Sequence, residues 1–202
     1  MRKKRDLMVI LLLFCVIFAG CANNTVEQGS ELLEKMDYSQ AQAKFQASIG
    51  VGKNLPEAYR GLGLCYWEQE KYEEAADAFG RALENGTKKT ATIFNLMGIC
   101  ELKMDNPEKA VYYFEEGQNL PDGNEKLMQE MAFNAICAYE KLGDFVTARE
   151  KLEIYVESYP DDGRAEKELE FLNTQAPETE ETKTEGTARE GLQENGEKAA
   201  EE

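Results

Sequence analysis

Histidine is absent from this 202-residue chain. Its absence excludes histidine general bases, Ser-His and Cys-His nucleophile systems and His-ligated zinc. Basic residues are also scarce, because 23 Lys and Arg stand against 39 Asp and Glu and give a formal net charge of −16. Nucleic-acid binding requires clustered basic residues that displace counterions, so this class of partner is excluded as well. The composition therefore predicts no catalytic site, no metal site, no cofactor and no small-molecule substrate.

A recurring pair of a small and a bulky residue organises most of the chain. The pairs are Ala41 and Phe45, Ala75 and Phe79, Ala110 and Phe114, and Ala148 and Leu152, with spacings of 34, 35 and 38 residues. A second apolar cluster precedes each pair, so each unit reads as two helices. A turn-like string separates them, and an aromatic residue or proline is predicted to open each second helix, at Tyr38, Tyr72, Pro107 and Phe145.

The second unit carries the fullest form of a known repeat pattern. It contains Tyr59-x2-Leu62-Gly63-x2-Tyr66, followed by Ala75-x3-Phe79. This resembles the tetratricopeptide repeat, whose pattern is W-x2-L-G-x2-Y, then A-x3-F, then P, with Tyr59 in the tryptophan position. The resemblance implies an all-α, right-handed superhelical solenoid of about four helical hairpins. A non-repeating helical bundle is the alternative.

The other units depart from the pattern. Unit three has Glu101 in the last aromatic position, unit four has Ala132 and Ile136 in the tryptophan and glycine positions, and only unit four ends with proline, at Pro160. Extra residues after Leu120 lengthen the period between units three and four, which predicts a longer first helix in unit four that starts near Glu125.

The predicted domain organisation has three parts. Residues 1–20 form a lipoprotein signal peptide, residues 21–174 form the repeat domain, and residues 175–202 form an acidic tail that its composition predicts to be disordered. The repeat units are placed at about 22–55, 56–90, 91–128 and 129–162. A capping helix follows at 163–174, with Asp161 or Asp162 as its N-cap.

The N-terminal segment reads as an export signal. Basic residues at positions 2–5 precede an apolar run from Leu7 to Ala19, which is too short to span a bilayer comfortably. It ends in Phe18-Ala19-Gly20-Cys21, which resembles a bacterial lipobox and implies acylation of Cys21. Cleavage would change the formal charge from −16 to −19. The predicted location is therefore extracytoplasmic, on a lipid anchor, with about six residues between Cys21 and a first helix that begins near Glu27. An ordinary secretory peptide and an uncleaved anchor are the alternatives.

Small residues in the first helices are assigned to packing. Gly63 and Gly98 would let the partner helix approach closely. Cys65, Cys100 and Cys137 occupy nearly equivalent places in successive first helices, about 10 Å apart and too far for a disulfide, so they are interpreted as core residues. Acidic runs such as Glu73-Glu74 are interpreted as solvated helix faces.

The resemblance also implies a binding surface, because tetratricopeptide hairpins generally hold a peptide or helix on their first helices. The positions carried over are Glu57, Arg60, Leu64 and Trp67 in unit two, Asn95, Ile99 and Leu102 in unit three, and Glu130, Phe133 and Cys137 in unit four. The apolar members predict a strip that fits a partner peptide or amphipathic helix with basic flanks, with Trp67 as its anchor. The alternative is that part of the strip packs against neighbouring helices or is covered by the protein's own N-terminal or tail segment.

These features predict a membrane-anchored protein-binding scaffold of the bacterial cell envelope. A self-associating structural lipoprotein is the second hypothesis, because the open ends of a repeat array can stack between copies. A solute-binding or enzymatic accessory lipoprotein is the third, and it would require a deep pocket with convergent polar groups.

Overall fold

The computed structural model describes residues 25–175. The predicted signal peptide, Cys21 and almost all of the predicted tail lie outside the described residues. Within them, every regular element is an α-helix. The helices are α1 (25–34), α2 (Tyr38–Gly50), α3 (Leu55–Glu68), α4 (Tyr72–Glu84), α5 (Ala91–Lys103), α6 (Pro107–Gln118), α7 (Glu125–Leu142), α8 (Phe145–Ser158) and α9 (Gly163–Gln175).

The helix boundaries confirm the predicted positions of the helices. Each second helix begins at the predicted aromatic residue or proline, and α7 has 18 residues and begins at Glu125. Thr25 is already helical, so the first helix includes residues before the predicted start at Glu27. The chain forms two compact units, one that ends at Ala138 and one that begins at Tyr139. The all-α hairpin architecture predicted from the spacing is therefore correct.

Each hairpin turn contains one residue with a left-handed backbone. These residues are Met36 (φ 61°), Glu70 (φ 58°), Asp105 (φ 61°) and Gly143 (φ 74°). In the first turn, the N–H of Asp37 donates to the carbonyl of Leu32 at 2.9 Å, and the other three turns repeat this bond. Such a bond across a left-handed residue satisfies the last free carbonyls of a helix and reverses the chain. The repeat period is thus visible in the backbone as well as in the side chains.

In the compact unit that ends at Ala138, a glycine packs against a phenylalanine in the core of each hairpin. A Cβ atom on Gly63 would lie 2.7 Å from the Phe79 ring, and one on Gly98 would lie 2.5 Å from the Phe114 ring. Both rings are fully buried. These distances are shorter than carbon atoms tolerate, so the close approach requires glycine. The packing role predicted for Gly63 and Gly98 is confirmed.

The compact unit that begins at Tyr139 contains α8 and the capping helix α9, which pack against each other. Leu152 and Leu172 are fully buried in it, and the rings of Phe145 and Phe171 meet edge to face with centroids 6.3 Å apart. Asp162 caps α9, because its carboxylate accepts a hydrogen bond from the backbone N–H of Arg164 at 3.1 Å. The hydrogen bond from the Arg164 guanidinium holds the pKa of Asp162 well below its usual range.

Candidate functional site

The predicted binding residues lie on α3, α5 and α7, and all of them belong to the unit that ends at Ala138. Arg60, Glu57 and Glu130 are exposed. Five apolar residues are half-buried, and we call them the apolar strip: Leu64, Trp67, Ile99, Leu102 and Phe133. Half-buried apolar side chains lose less surface to folding than core residues do, so they retain area that a partner could cover.

Trp67 contributes to internal packing as well as to the apolar strip. Its ring meets the ring of Tyr72, the first residue of α4, edge to face with centroids 5.7 Å apart. Trp67 and Leu64 also pack against a buried cluster that includes Phe79 and Met97. The alternative that part of the strip packs on neighbouring helices therefore holds for these two residues, and only the remaining surface of Trp67 is available to a partner.

Asn95 differs from the other predicted contact residues because it is buried, with 5% of its surface exposed. Its Nδ2 donates to Oε1 of Glu130 at 3.3 Å and thereby joins α5 to α7. Its Oδ1 is buried without a hydrogen-bond partner. Asn95 thus contributes to the packing of α5 and α7, and its role as a partner contact stays a prediction.

Two further hydrogen bonds fix the N-terminal ends of the first helices. The hydroxyl of Thr87 donates to the carbonyl of Pro56 at 3.2 Å, and the backbone N–H of Ala91 donates to the Asp122 carboxylate at 3.1 Å. Each bond joins the loop at the end of a repeat to the first helix of the same repeat. These bonds therefore hold the ends of α3 and α5, two of the helices that carry the apolar strip, against the loops of their own repeats.

Cys65, Cys100 and Cys137 form no disulfide with one another, as predicted. Cys65 and Cys100 are buried and Cys137 is half-buried. Burial raises the pKa of Cys65 to about 11 and that of Cys100 to about 12. Both thiols stay protonated at neutral pH and are poor nucleophiles and metal ligands in that form. Their core-packing role fits this chemistry.

The structure also contains a cleft that the sequence analysis did not predict. It has a volume of about 760 Å³ and lies among α2, α3 and α4. Its lining comprises Gln46, Ile49 and Gly50 from α2, Tyr59, Leu62 and Tyr66 from α3, and Glu73, Glu74, Asp77, Ala78 and Arg81 from α4. We call it the outer cleft, because it lies along the second helices and none of the strip residues lines it. In the sequence, Tyr59 and Tyr66 fit the repeat pattern and Glu73 and Glu74 fit a solvated helix face, so neither pair indicates a cleft.

Residue size at one repeat position explains why the outer cleft is open. When the second and third repeats are aligned, Ala78 is equivalent to Tyr113 and Tyr59 is equivalent to Phe94. In the third unit, the Tyr113 ring stacks on Phe94 with centroids 5.9 Å apart and an interplanar angle of 30°. In the second repeat, the small Ala78 provides no such ring, and the guanidinium carbon of Arg81 lies 5.9 Å from the centroid of the Tyr59 ring instead. The difference in residue size between Ala78 and its equivalent Tyr113 is visible in the sequence and could have indicated this cleft.

Residues 25–175 contain neither of two other kinds of feature, a metal site and a membrane-spanning helix. No group of three or more acidic or cysteine side chains there is arranged to hold a metal ion. None of the helices in this range combines the length and the hydropathy needed to cross a bilayer.

The stacked hairpins and the apolar strip define an all-α repeat protein. Residues 26–90 and 132–162 each match a family model described as tetratricopeptide repeat. Comparison with curated protein sequences gives no significant match. The family matches and the helical architecture together support a tetratricopeptide-repeat protein.

Solved structures share this fold. YrrB, described as a tetratricopeptide-repeat protein with an unusual peptide-binding site, is similar with a TM-score of 0.66 and 21% identity over 74% of this chain and 75% of YrrB. MamA is similar with a TM-score of 0.67 and 16% identity over 76% of this chain and 81% of MamA. A tetratricopeptide-repeat protein from Parabacteroides merdae gives a TM-score of 0.63 and 19% identity over 76% of this chain and 59% of that protein. At these identities, the likeness establishes the fold alone.

Proposed function

We propose that this protein is a membrane-anchored scaffold of the bacterial cell envelope that binds a peptide or helix of a partner protein on the apolar strip. The observation that carries the proposal is that the five apolar strip residues, on three first helices, are half-buried. Glu57 and Glu130, which the same resemblance assigns to the binding surface, are exposed acidic residues. An amphipathic or extended segment with basic flanks matches both the apolar surface and the acidic border.

The comparison with YrrB supports a binding role, because that protein shares the fold and is described as having a peptide-binding site. The free energy of binding at such a surface usually depends on a few large side chains. Trp67 and Phe133 are the two aromatic residues of the strip and lie on α3 and α7. A partner that contacts both would also cross α5, where Ile99 and Leu102 are half-buried.

The proposed binding surface is tested with the double substitution Trp67→Ala and Phe133→Ala. Affinity capture from envelope extracts, quantified by mass spectrometry, should recover at least about tenfold less of the specific partners, because two aromatic contacts are lost. The matched control is Val146→Ala with Ile154→Ala, which truncates two side chains on α8 that are 56% and 64% exposed. Circular dichroism would verify that both variants are folded. Equal partner recovery by the double variant and the control would refute the assignment of the strip.

The lipid anchor is a separate part of the proposal and is supported by the sequence of the N-terminal segment. Two acyl chains are what make such an anchor stable, since one chain of myristoyl length gives only marginal membrane binding. Metabolic labelling with a radioactive fatty acid should mark the native chain and should not mark Cys21→Ser. Cys15→Ser is the matched control and should be labelled like the native chain. Label that persists in Cys21→Ser would refute lipidation at this residue.

A further inference from the structure

We infer that the outer cleft is a second protein-binding site, which takes an arginine side chain from a basic segment of a partner. The cleft lies on α2, α3 and α4, and no residue of the apolar strip lines it. Its volume of about 760 Å³ falls within the usual range of ligand sites in proteins. The inference concerns a surface that the proposed strip does not use, so either can fail without the other.

The charges that line the cleft favour a cationic occupant. Three carboxylates, those of Glu73, Glu74 and Asp77, face one guanidinium, that of Arg81. Asp77 pairs with Arg81 at 2.9 Å. Within the described part of the chain, Glu73 and Glu74 make no ion pair or side-chain hydrogen bond. Two carboxylates beside an apolar surface are therefore free to pair with an incoming cation.

The aromatic floor of the cleft is suited to a guanidinium in particular. Arg81 shows the geometry, because its guanidinium carbon lies 5.9 Å from the centroid of the Tyr59 ring. Lys71 approaches the Tyr66 ring at the same distance. A planar guanidinium can stack on an aromatic face and pair with a carboxylate at once, whereas an ammonium acts as a point charge. A partner's arginine would compete with Arg81 for the Tyr59 ring and would lie beside Ala78, at the repeat position where the next hairpin has the Tyr113 ring.

Because Ala78 is small and lines the outer cleft, enlarging this residue is the most specific test of the inference. Ala78→Tyr places in the second unit the residue that the third unit has at the equivalent position, where it stacks on Phe94. The new ring is expected to fill the outer cleft. A second variant, Glu73→Gln with Glu74→Gln, removes the two unpaired carboxylates and leaves the cleft open. Arg81→Ala removes the chain's own cation from the edge of the cleft.

The probe is a fluorescein-labelled octapeptide of glycine and serine with two central arginines, titrated with the purified full-length chain and followed by fluorescence anisotropy at low ionic strength. We expect the native chain to bind it and to bind its citrulline analogue about tenfold more weakly, because citrulline keeps the shape and loses the charge. Ala78→Tyr and Glu73→Gln with Glu74→Gln should each weaken binding about tenfold. Arg81→Ala should bind a few-fold more tightly, since a competing cation is gone.

Two controls locate the binding site. Glu108→Gln with Glu116→Gln removes the same charge from exposed positions on α6 and should change the affinity less than about twofold. Trp67→Ala with Phe133→Ala alters the apolar strip and should leave probe binding unchanged. The inference is overturned if the native chain does not bind the probe, if the citrulline peptide binds as tightly, or if both cleft variants keep the native affinity. It is also overturned if the α6 control weakens binding as much as the cleft variants do.

Discussion

Replacing Phe79 with alanine is expected to lower the free energy of unfolding by about 3–5 kcal/mol, the usual cost of deleting a fully buried aromatic ring. The ring is 0% exposed and packs in a cluster with Ala75, Ile93, Met97 and Cys100. It also covers Gly63, whose missing side chain makes room for it. Gly63 has no side chain that could move into the space that the ring leaves. The loss should therefore include both the transfer free energy and the cost of a cavity.

Urea denaturation followed by circular dichroism would measure this loss. Tyr112→Ala is the control, since it removes another aromatic ring from a second helix, and 54% of the Tyr112 surface is exposed. It should cost less than about 1 kcal/mol. A loss below about 1 kcal/mol for Phe79→Ala, or equal losses for the two variants, would show that the glycine and phenylalanine pairs do not hold the hairpins together.

The fold could be predicted from the sequence because its main determinants are local and repeat. The residue that opens each second helix, the glycine that admits a ring and the alanine beside that ring recur at fixed spacings, and each has a physical role in the structure. Glu101 shows where the pattern alone is insufficient. It replaces an aromatic residue, is 5% exposed, and its carboxylate accepts a hydrogen bond from Asn106 Nδ2 at 3.0 Å in the following turn. A polar contact thus takes the place of ring packing there.

The binding surfaces were less predictable, because repeat spacing shows which helix carries a residue but not what its neighbours cover. Asn95 is in the helix that the resemblance implies, yet its amide is buried against Glu130. The Trp67 ring packs against the ring of Tyr72, which covers part of its surface. The outer cleft depends on Ala78 being small where Tyr113 is large, and that difference has consequences only once both helices are packed on α3 and α5.

We expect Glu140 to make the stability of the compact unit that begins at Tyr139 dependent on pH. This residue lies near the end of α7, and burial, together with the neighbouring carboxylate of Glu168 on α9, raises its pKa to about 8. A carboxyl with a raised pKa binds more protons in the folded state than in the unfolded state. The stability of the folded state is therefore present in full below pH about 4.5, the unfolded value, and decreases as the pH rises towards about 8.

Glu140→Gln is expected to stabilise the protein at pH 8.5 and to have little effect at pH 4.5. Glutamine has nearly the same size as glutamate and cannot ionise, so the cost of a half-buried charge beside a second carboxylate is removed. The gain at pH 8.5 should be about 1–2 kcal/mol, because solvent screens a half-exposed group and only part of the full linkage applies. Thermal unfolding of the native chain and the variant at both pH values would measure it.

Glu157→Gln on α8 is the matched control for Glu140→Gln, since Glu157 is exposed and the substitution removes the same charge from a strongly acidic chain. Any general relief of repulsion should appear equally in both variants. The pH-dependent gain should appear only in Glu140→Gln, and it should shrink in a Glu168→Gln background because the neighbouring carboxylate is gone. Burial is the larger cause of the raised pKa, so part of the gain should remain in that background. A gain that is the same at pH 4.5 and pH 8.5 would show that Glu140 does not carry a proton in the folded state at neutral pH.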